Sequence, residues 1–538
     1  MKVLNYEWSE HSDNAIDLAF NKKRADDRKK WLEGYDIFNV LDYSNPQVPI
    51  QDFINKDLIH FSNYDNIRSI PNVCDGLKPS QRKILFSAFK RNLTSEIKVA
   101  QFSGYVSEHA GYHHGEASLQ GAIISMAQNF VGSNNIPLFV PLGNFGTRLE
   151  YGADAASPRY IFTHLHPITY AIYRKEDLPI MEYQDDDGFK IEPTFYLPII
   201  PMILVNGSEG IGTGYSTNVP PHNPREIISN LRNLLVGKPI TAMKPWFAGF
   251  KGAVLKPTPD SQFVTKGSYK IVDETTLEIT ELPIGMASEK YKKFLEDSII
   301  EGKTQSVDKQ FIRNYKEQCV DNQVYFQVKL DKQMIIEMES DPELVEKTFK
   351  LTSSKNTSYS NMYLYDSSIK IYKYEGPYDI LMDFYTIRLE YYQKRKDYQL
   401  GALKNELDIL KEKYRFIHMI VLNEIDVRGK TKQSVEDLLS ANNFLQLANT
   451  KGKETNYDYL VQMPIYWQTK EKLDELREKM ESKQNEYDTL LSKDIKDIWI
   501  EELNELDTMI EQYYAEFEKL LAGEQISTKK TSKKGKKK

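Results

Sequence analysis

Ser69-Ile-Pro-Asn-Val-Cys-Asp-Gly-Leu-Lys-Pro-Ser-Gln-Arg-Lys83 reads as a turn feeding a helix. Asp75-Gly76 marks the turn, and Pro79 suits the first helical position, where no backbone N–H is needed. Ile84, Leu85 and Phe89 then recur at helical spacing and predict the buried face. Lys78, Arg82 and Lys83 gather at the helix start, where free backbone N–H groups also favour phosphate. From Arg68 to Lys98 seven bases stand against only Asp75 and Glu96. That local excess is a candidate phosphate-facing patch, although the whole chain carries a net charge of -7.

Upstream, Asn14 to Gly34 predicts one amphipathic helix ending at a glycine, followed by a Pro-containing connector, Asn45 to Pro49. The stretch to about Asp187 holds short helical segments broken by glycines. A helix followed by short strands is compatible with a winged helix-turn-helix. From about Lys190 to Lys373 the texture alternates, as in Tyr269 to Val272, Thr276 to Ile279 and Gln323 to Val328, which predicts a separate α/β domain. After Gly376, Leu400, Leu403, Leu407, Leu410, Tyr414, Ile417 and Val421 repeat at 3-4 spacing. A second stretch carries Leu473, Leu476, Met480, Tyr487 and Leu490, interrupted by Lys483. Two long helices with a small insert between them predict an antiparallel arm with a knob at its tip, or else an ordinary helical bundle.

Length sets the scale. At roughly 100–200 residues per domain, 538 residues predict about three domains. Hydrophobic residues at 40% and charged residues at 27% exclude a mostly disordered chain. The longest apolar run, Leu197 to Val205, is interrupted by Pro201 and is too short for a bilayer span. Met1 to Ser9 has no signal-peptide stretch. Two cysteines, Cys74 and Cys319, neither build a disulfide framework nor ligate zinc by themselves, so a reduced intracellular setting is expected. The Lys-rich end, Lys529 to Lys538, reads as an address signal, a DNA-affinity tail or a solvated end.

Several motifs imitate chemistry that the spacing does not support. The run Gly207-Ser-Glu-Gly210-Ile-Gly212-Thr-Gly214 lacks both the dinucleotide fingerprint and a following Lys-Ser/Thr. It reads better as a close backbone approach that aims Ile211 outward as an apolar wedge, or leaves it as plain core. Gly302-Lys303-Thr304 and Gly429-Lys430-Thr431 end like phosphate loops but have Asp297 and Glu424 where the first glycine belongs. No ATP site is expected. His109, His113, His114 and Glu116 lack a third placed ligand, so a histidine near phosphate or a hydrogen-bonded one is preferred to zinc. Asp185-Asp-Asp187-Gly188 has Tyr183 at the first calcium-ligand position and reads as a solvated turn. Among 34 tyrosines, Tyr160 stands out only because Arg159 adjoins it.

Longer segments carry more information together. Besides the opening stretch, these are Tyr112-His-His-Gly-Glu116, Ala127-Gln-Asn-Phe-Val-Gly-Ser-Asn-Asn135, Gly143-Asn-Phe-Gly-Thr-Arg148, Ala156-Ser-Pro-Arg-Tyr-Ile-Phe162, and Pro198-Ile-Ile-Pro-Met-Ile-Leu-Val-Asn-Gly207 running into Glu209 to Gly214. In this order, from about Asn14 to Phe517, the chain resembles the breakage-reunion region of eukaryotic-type type IIA DNA topoisomerases. The resemblance implies an α+β multidomain fold: a connector over 1–55, a winged-helix domain over 56–189, and a tower domain over 190–375. A coiled-coil arm would follow over 376–422 and 466–520, with a dimerising C-gate at 423–465 and a basic tail over 521–538.

It further implies that Tyr160 attacks a DNA phosphate and that Arg159 stabilises the transition state. Arg68, Lys78 and Arg82 would handle phosphate, with His114 near the scissile group. Asp75, Lys83, Arg148 and Ile211 complete the DNA-facing set, Asp75 by organising the cations and Ile211 as the wedge. Double-stranded DNA and a second copy of the chain are the implied partners. Mg²⁺ and ATP would be bound by a TOPRIM domain and an ATPase domain, whose motifs do not occur in this sequence. The expectation is one component of a split enzyme or a fragment, from a virus or phage, acting in the host cytoplasm or nucleus. The alternative is a non-catalytic DNA-binding dimer on the same scaffold.

Overall fold

The computed structural model describes residues 4–256, 258, 262–300, 310–353, 357–448, 455–464, 467 and 469–523. Gly302-Lys303-Thr304, Ile465 and the Lys-rich end lie outside the described residues. The chain divides into two compact units, Met1–Arg388 with Ile500–Lys538, and Leu389–Trp499.

The first unit opens with a departure from the single helix expected over Asn14 to Gly34. Two helices form instead, Ser12–Phe20 and Ala25–Glu33, separated at Asn21. Asn21 takes an extended backbone conformation, and its side chain accepts from the Lys23 N–H to start the next turn. Arg24 and Arg28 reinforce the break by reaching back to Asn14 Oδ1 (2.9 Å) and to the Asn21 carbonyl (2.6 Å). Gly34 caps the second helix, as the spacing predicted.

The Ile59–Ser69 helix leads into the turn at Asp75 and then the Pro79–Lys90 helix. Pro79 occupies its first turn, and the Gln81 side chain accepts from the Lys78 N–H at 2.9 Å. Ile84, Leu85 and Ala88 are fully buried; Phe89 is half-buried, with Tyr170, Tyr173 and Tyr196 around it. The Val99–Ala110 and Glu116–Ala127 helices complete this layer. A short antiparallel pairing of Ile97–Lys98 with Phe162–Thr163 follows the helices in space. The acidic run ends a hairpin strand: Tyr183–Asp186 pairs with Phe189–Pro193, and Asp187 and Gly188 make the turn.

Farther along lies a four-stranded antiparallel sheet in the order Ser268–Asp273, Thr276–Glu281, Phe326–Lys329, Asn314–Glu317. The third strand starts at Phe326 rather than Gln323. Its alternation buries Phe326 and Val328 beside Leu277 and Ile279, against Tyr291, Leu295, Ile335 and Phe349 from flanking segments. No described helix is long and apolar enough to cross a membrane.

The second unit holds the distal part of a long helix, Pro377–Val421, and a returning helix, Lys470–Ser492. Lys396 donates to the carbonyls of Leu491 and Lys493, and Lys483 pairs with Glu406 at 3.2 Å. Ile417 shares a core with Leu473 and Leu476. As one number rises the other falls, so the two helices are antiparallel. Lys483, the apparent interruption of the apolar stripe, is thus a cross-helix ion pair. Between the helices, the Lys432–Ala441 helix and the pairing of Leu447–Ala448 with Thr455–Asn456 close a small core of Ile425, Leu439, Phe444, Tyr457 and Leu460.

Two histidines, His222 buried and His166 half-buried, give the fold an acid limit. Burial pushes His166 and His222 down from 6.5 to about 4. His222 meets the Tyr359 hydroxyl at 2.9 Å, and His166 Nδ1 accepts from the Ile168 N–H. The folded state holds both neutral, so their contribution is complete above pH 6.5 and is lost as pH falls toward 4. Each accounts for roughly 3 kcal/mol across that window. Urea denaturation between pH 4 and 7 should show stability falling on acidification, and His222→Gln should reduce the slope by about one proton.

Candidate nucleic-acid interface

Tyr160 sits on a turn whose backbone is held from both sides. The Val99 N–H donates to the Ile161 carbonyl and the Ala100 N–H to the Pro158 carbonyl, each at 3.1 Å. These are the first amides of the Val99–Ala110 helix, which lack partners within their own helix. Leu142 and Phe162 exchange two backbone hydrogen bonds on the far side. Gly143 makes that approach possible: its φ is +106°, and a Cβ there would lie 2.9 Å from Ile161 Cγ2. The Tyr160 side chain projects from this frame 77% exposed, and Arg159 beside it is exposed as well.

The expected cationic cluster divides into buried and available groups. Arg82 is buried and forked onto Asp75, with Nε to Oδ2 at 2.7 Å and Nη2 to Oδ1 at 3.1 Å. Asp75, fully buried, also accepts from the N–H groups of Leu77 and Tyr196. It therefore organises the cluster from beneath the surface. The Asp75 charge holds the Arg82 guanidinium above its ordinary value despite the burial that opposes it.

Two more of the expected DNA-facing cations have carboxylate partners within the protein. Lys83 pairs with the buried Glu192 at 2.9 Å and donates to the Ala110 carbonyl at 2.6 Å. Arg148 is 1% exposed, pairs with Glu281 at 2.5 Å and donates to the Leu282 carbonyl. It fastens its loop to the end of the Thr276–Glu281 strand, and burial removes it from any surface. Arg148 is thus neutralised in the interior, whereas Lys83, half-buried and paired, still faces a cavity.

Arg68, at the end of the Ile59–Ser69 helix, is exposed and makes no ion pair among the described residues. Its guanidinium lies 5.9 Å from the Tyr64 ring centre. Tyr64 also meets His114 Nε2 at 2.6 Å. Burial and the nearby Arg68 charge lower the His114 pKa. Arg68, Arg82, Lys83 and His114 line one cavity of about 570 Å³. Tyr160, Arg159 and Lys78 are not in its lining, and among the described residues no hydrogen bond joins Tyr160 to these cations.

Lys78 reaches the Ser208–Ile211 strand, donating to the Glu209 carbonyl at 2.7 Å, and burial lowers its pKa. The glycine run forms a hairpin of Ser208–Ile211 with Ser216–Val219. Ile211 is 78% exposed there, which excludes the plain-core alternative. A Cβ on Gly210 would fall 1.9 Å from the Ser69 carbonyl, so the close approach read from the glycines is present.

The family model for DNA gyrase/topoisomerase IV, describing the A-type chain of those enzymes, matches residues 68–504. The chain belongs to that family. A model for the C-terminal associated domain of TOPRIM matches residues 1–66. DNA topoisomerase 2 of Candida albicans is 40% identical over 97% of this chain, and that of Arabidopsis thaliana is 46% identical over 81%. The matches cover 38% and 29% of those relatives, so this gyrase A-family chain spans about a third of their length. A crystal structure of the Plasmodium falciparum topoisomerase II DNA-binding, cleavage and re-ligation domain is similar, with a TM-score of 0.83 and 38% identity. That match covers 97% of this chain and 72% of the other.

Sequence reasoning missed Tyr64 and Glu192. Tyr64 stands four residues before Arg68 on one helix face, a usable signal. Glu192 had none, because its partner lies more than a hundred residues away. In this gyrase A-family fold, Asp75→Asn should destabilise by about 3–5 kcal/mol, since it leaves the Arg82 guanidinium buried without its counter-charge. Chemical denaturation, compared with Lys83→Met as a milder control, measures it.

Proposed function

We propose that this chain carries out DNA breakage and rejoining in a type IIA topoisomerase. The observation that carries the reading is Tyr160: a phenol exposed on a turn whose backbone is clamped on both flanks. Attack by its Oη on a backbone phosphorus forms an O–P bond as the P–O3′ bond breaks. The phenolic proton is given up and the leaving oxygen ends as a 3′-hydroxyl. One ester replaces another, so the reverse reaction reseals the strand without ATP. Arg159 and Arg68, the exposed cations without carboxylate partners among the described residues, would meet the charge on the phosphoryl oxygens. His114 would lie beside them as a hydrogen-bonding group, and Lys78 would serve both phosphate and the hairpin that carries Ile211. Arg82 acts through Asp75 as support. Ile211 would insert between base steps and bend the duplex.

In this reading residues 56–189 are a winged-helix domain and 190–375 a tower. The antiparallel helices form the arm, and 423–465 is the C-gate of a homodimer. Two tyrosines, one from each copy, open both strands for passage of a second duplex. Among the described residues no group of three or more His, Cys, Asp or Glu side chains is placed to hold a metal ion. The described residues do not fit Mg²⁺, and no step is derived through it. The proposal takes Mg²⁺ and ATP to be bound by TOPRIM and ATPase domains outside this sequence.

The test is covalent capture on DNA in the presence of Mg²⁺ and a TOPRIM-bearing partner. Tyr160→Phe should abolish denaturant-resistant adducts with affinity nearly unchanged, because affinity rests on many phosphate contacts. Arg159→Ala should slow cleavage by about 10²–10³-fold. Adducts formed by the Phe variant would refute the nucleophile. No adduct from the unaltered chain would favour a non-catalytic DNA-binding dimer. Arg68→Met should lower the log–log salt slope by about one, whereas Lys83→Met should leave it unchanged.

A further inference from the structure

The hairpin carrying Ile211 is bolted to the helix carrying Arg68 by groups to which the proposed chemistry gives no role. Thr213 Oγ1 donates to Asp65 Oδ2 at 2.9 Å, and Asn66 Nδ2 donates to the Thr213 carbonyl at 3.0 Å. Asn66 is 2% exposed, and a Cβ on Gly212 would lie 2.2 Å from its Oδ1. Gly210 meets the Ser69 carbonyl one turn further along, and Lys78 holds the Glu209 carbonyl. Inside the loop the Gly212 N–H donates to the Tyr215 carbonyl at 2.9 Å. The loop 209–214 is therefore fixed on both sides of Ile211, against the last two turns of the Ile59–Ser69 helix. The same two turns present Tyr64, which holds His114, and Arg68.

We infer that Asp65, Asn66 and Thr213 are positioning residues that make the wedge and the phosphate-handling groups one rigid body, so that bending of the duplex and seating of the phosphate occur together. The inference rests on the reading of Ile211 as the wedge. A lone isoleucine on a free loop would swing aside rather than hold an unstacked base step, which costs a few kcal/mol to maintain. Fixing the loop to two turns of a helix transfers that load to the Asp65 and Asn66 hydrogen bonds and to the close approach of Gly210 to Ser69. None of the three residues needs to touch DNA for this role.

The experiment uses the full chain with an end-labelled duplex whose bending is read by energy transfer, and a second duplex made flexible by a central bulge. Asp65→Ala and Thr213→Val should each reduce bending and weaken binding to the straight duplex by about tenfold, equivalent to 1.4 kcal/mol. On the bulged duplex, where the bend is already present, affinity should return to within about twofold of the unaltered protein. The salt slope should not change, because no phosphate contact is lost. The double variant should be no worse than either single one, since both remove the same hydrogen bond. Asn66→Ala is the riskier variant because the site is buried, and Asp65 and Thr213 keep the test independent of it. If both variants bend DNA fully while Ile211→Ala does not, the positioning role is refuted and the wedge stands. If Ile211→Ala also bends DNA fully, the wedge reading fails and this inference with it. Equal losses on straight and bulged duplexes would reduce Asp65 and Thr213 to ordinary structural residues.

Discussion

The buried pair between Arg82 and Asp75 is the point from which the interface hangs. Asp75 receives two guanidinium bonds and two backbone N–H groups, from Leu77 and Tyr196. One carboxylate thereby joins the turn after the Ile59–Ser69 helix, the start of the next helix and a segment more than a hundred residues later. Taking both charges out of water costs several kcal/mol per ion, and their attraction offsets this only with full hydrogen bonding. The pair meets that condition at every Asp75 oxygen. Its net stabilisation is small for that reason, but its loss is expensive, and its geometry fixes where Lys78 and the cavity wall stand.

Backbone approach is the second constraint. Gly143 lets the tyrosine turn lie against Ile161, and Gly210 lets the hairpin lie against Ser69. At both places a side chain would occupy the space that the neighbouring segment needs. Exposure of Tyr160 and of Ile211 follows from what these glycines permit beneath them. A residue can project fully into solvent and still keep its aim only when its own backbone is held this way.

How much of this could be read in advance follows the range of each interaction. The turn at Asp75, the proline at the helix start and the apolar faces are local and were legible. So was the antiparallel arm as one of two readings, because its 3-4 repeat and the break at Lys483 are sequence patterns. The glycine run announced a close approach without saying against what. Charge was the poorest guide: nothing near Lys83 or Arg148 in the sequence announces the Glu192 and Glu281 found beside them. Those partners come from distant segments, and no periodicity or spacing links them. The helix break at Asn21 was missed although its signal is local, a capping asparagine at the head of the largely polar run Asn21 to Lys30.

The cations thus separate by partner, and the separation has chemical meaning. Those that are buried, Arg82 and Arg148, have carboxylates; Lys83, half-buried, has one too. Arg68 and Arg159 are exposed and have none among the described residues. A guanidinium already neutralised by a carboxylate has little left to offer a phosphate, whereas an unpaired one in water loses only hydration when the phosphate arrives. The phenol and Arg68 share no hydrogen bond among the described residues, and the proposed chemistry asks a bound phosphate to meet both. In the proposed function a polyanion running across the surface would do this, its phosphates supplying counter-charges at fixed intervals. In that function the substrate would finish the site, and the protein's part would be to hold each group on a backbone clamped from both sides.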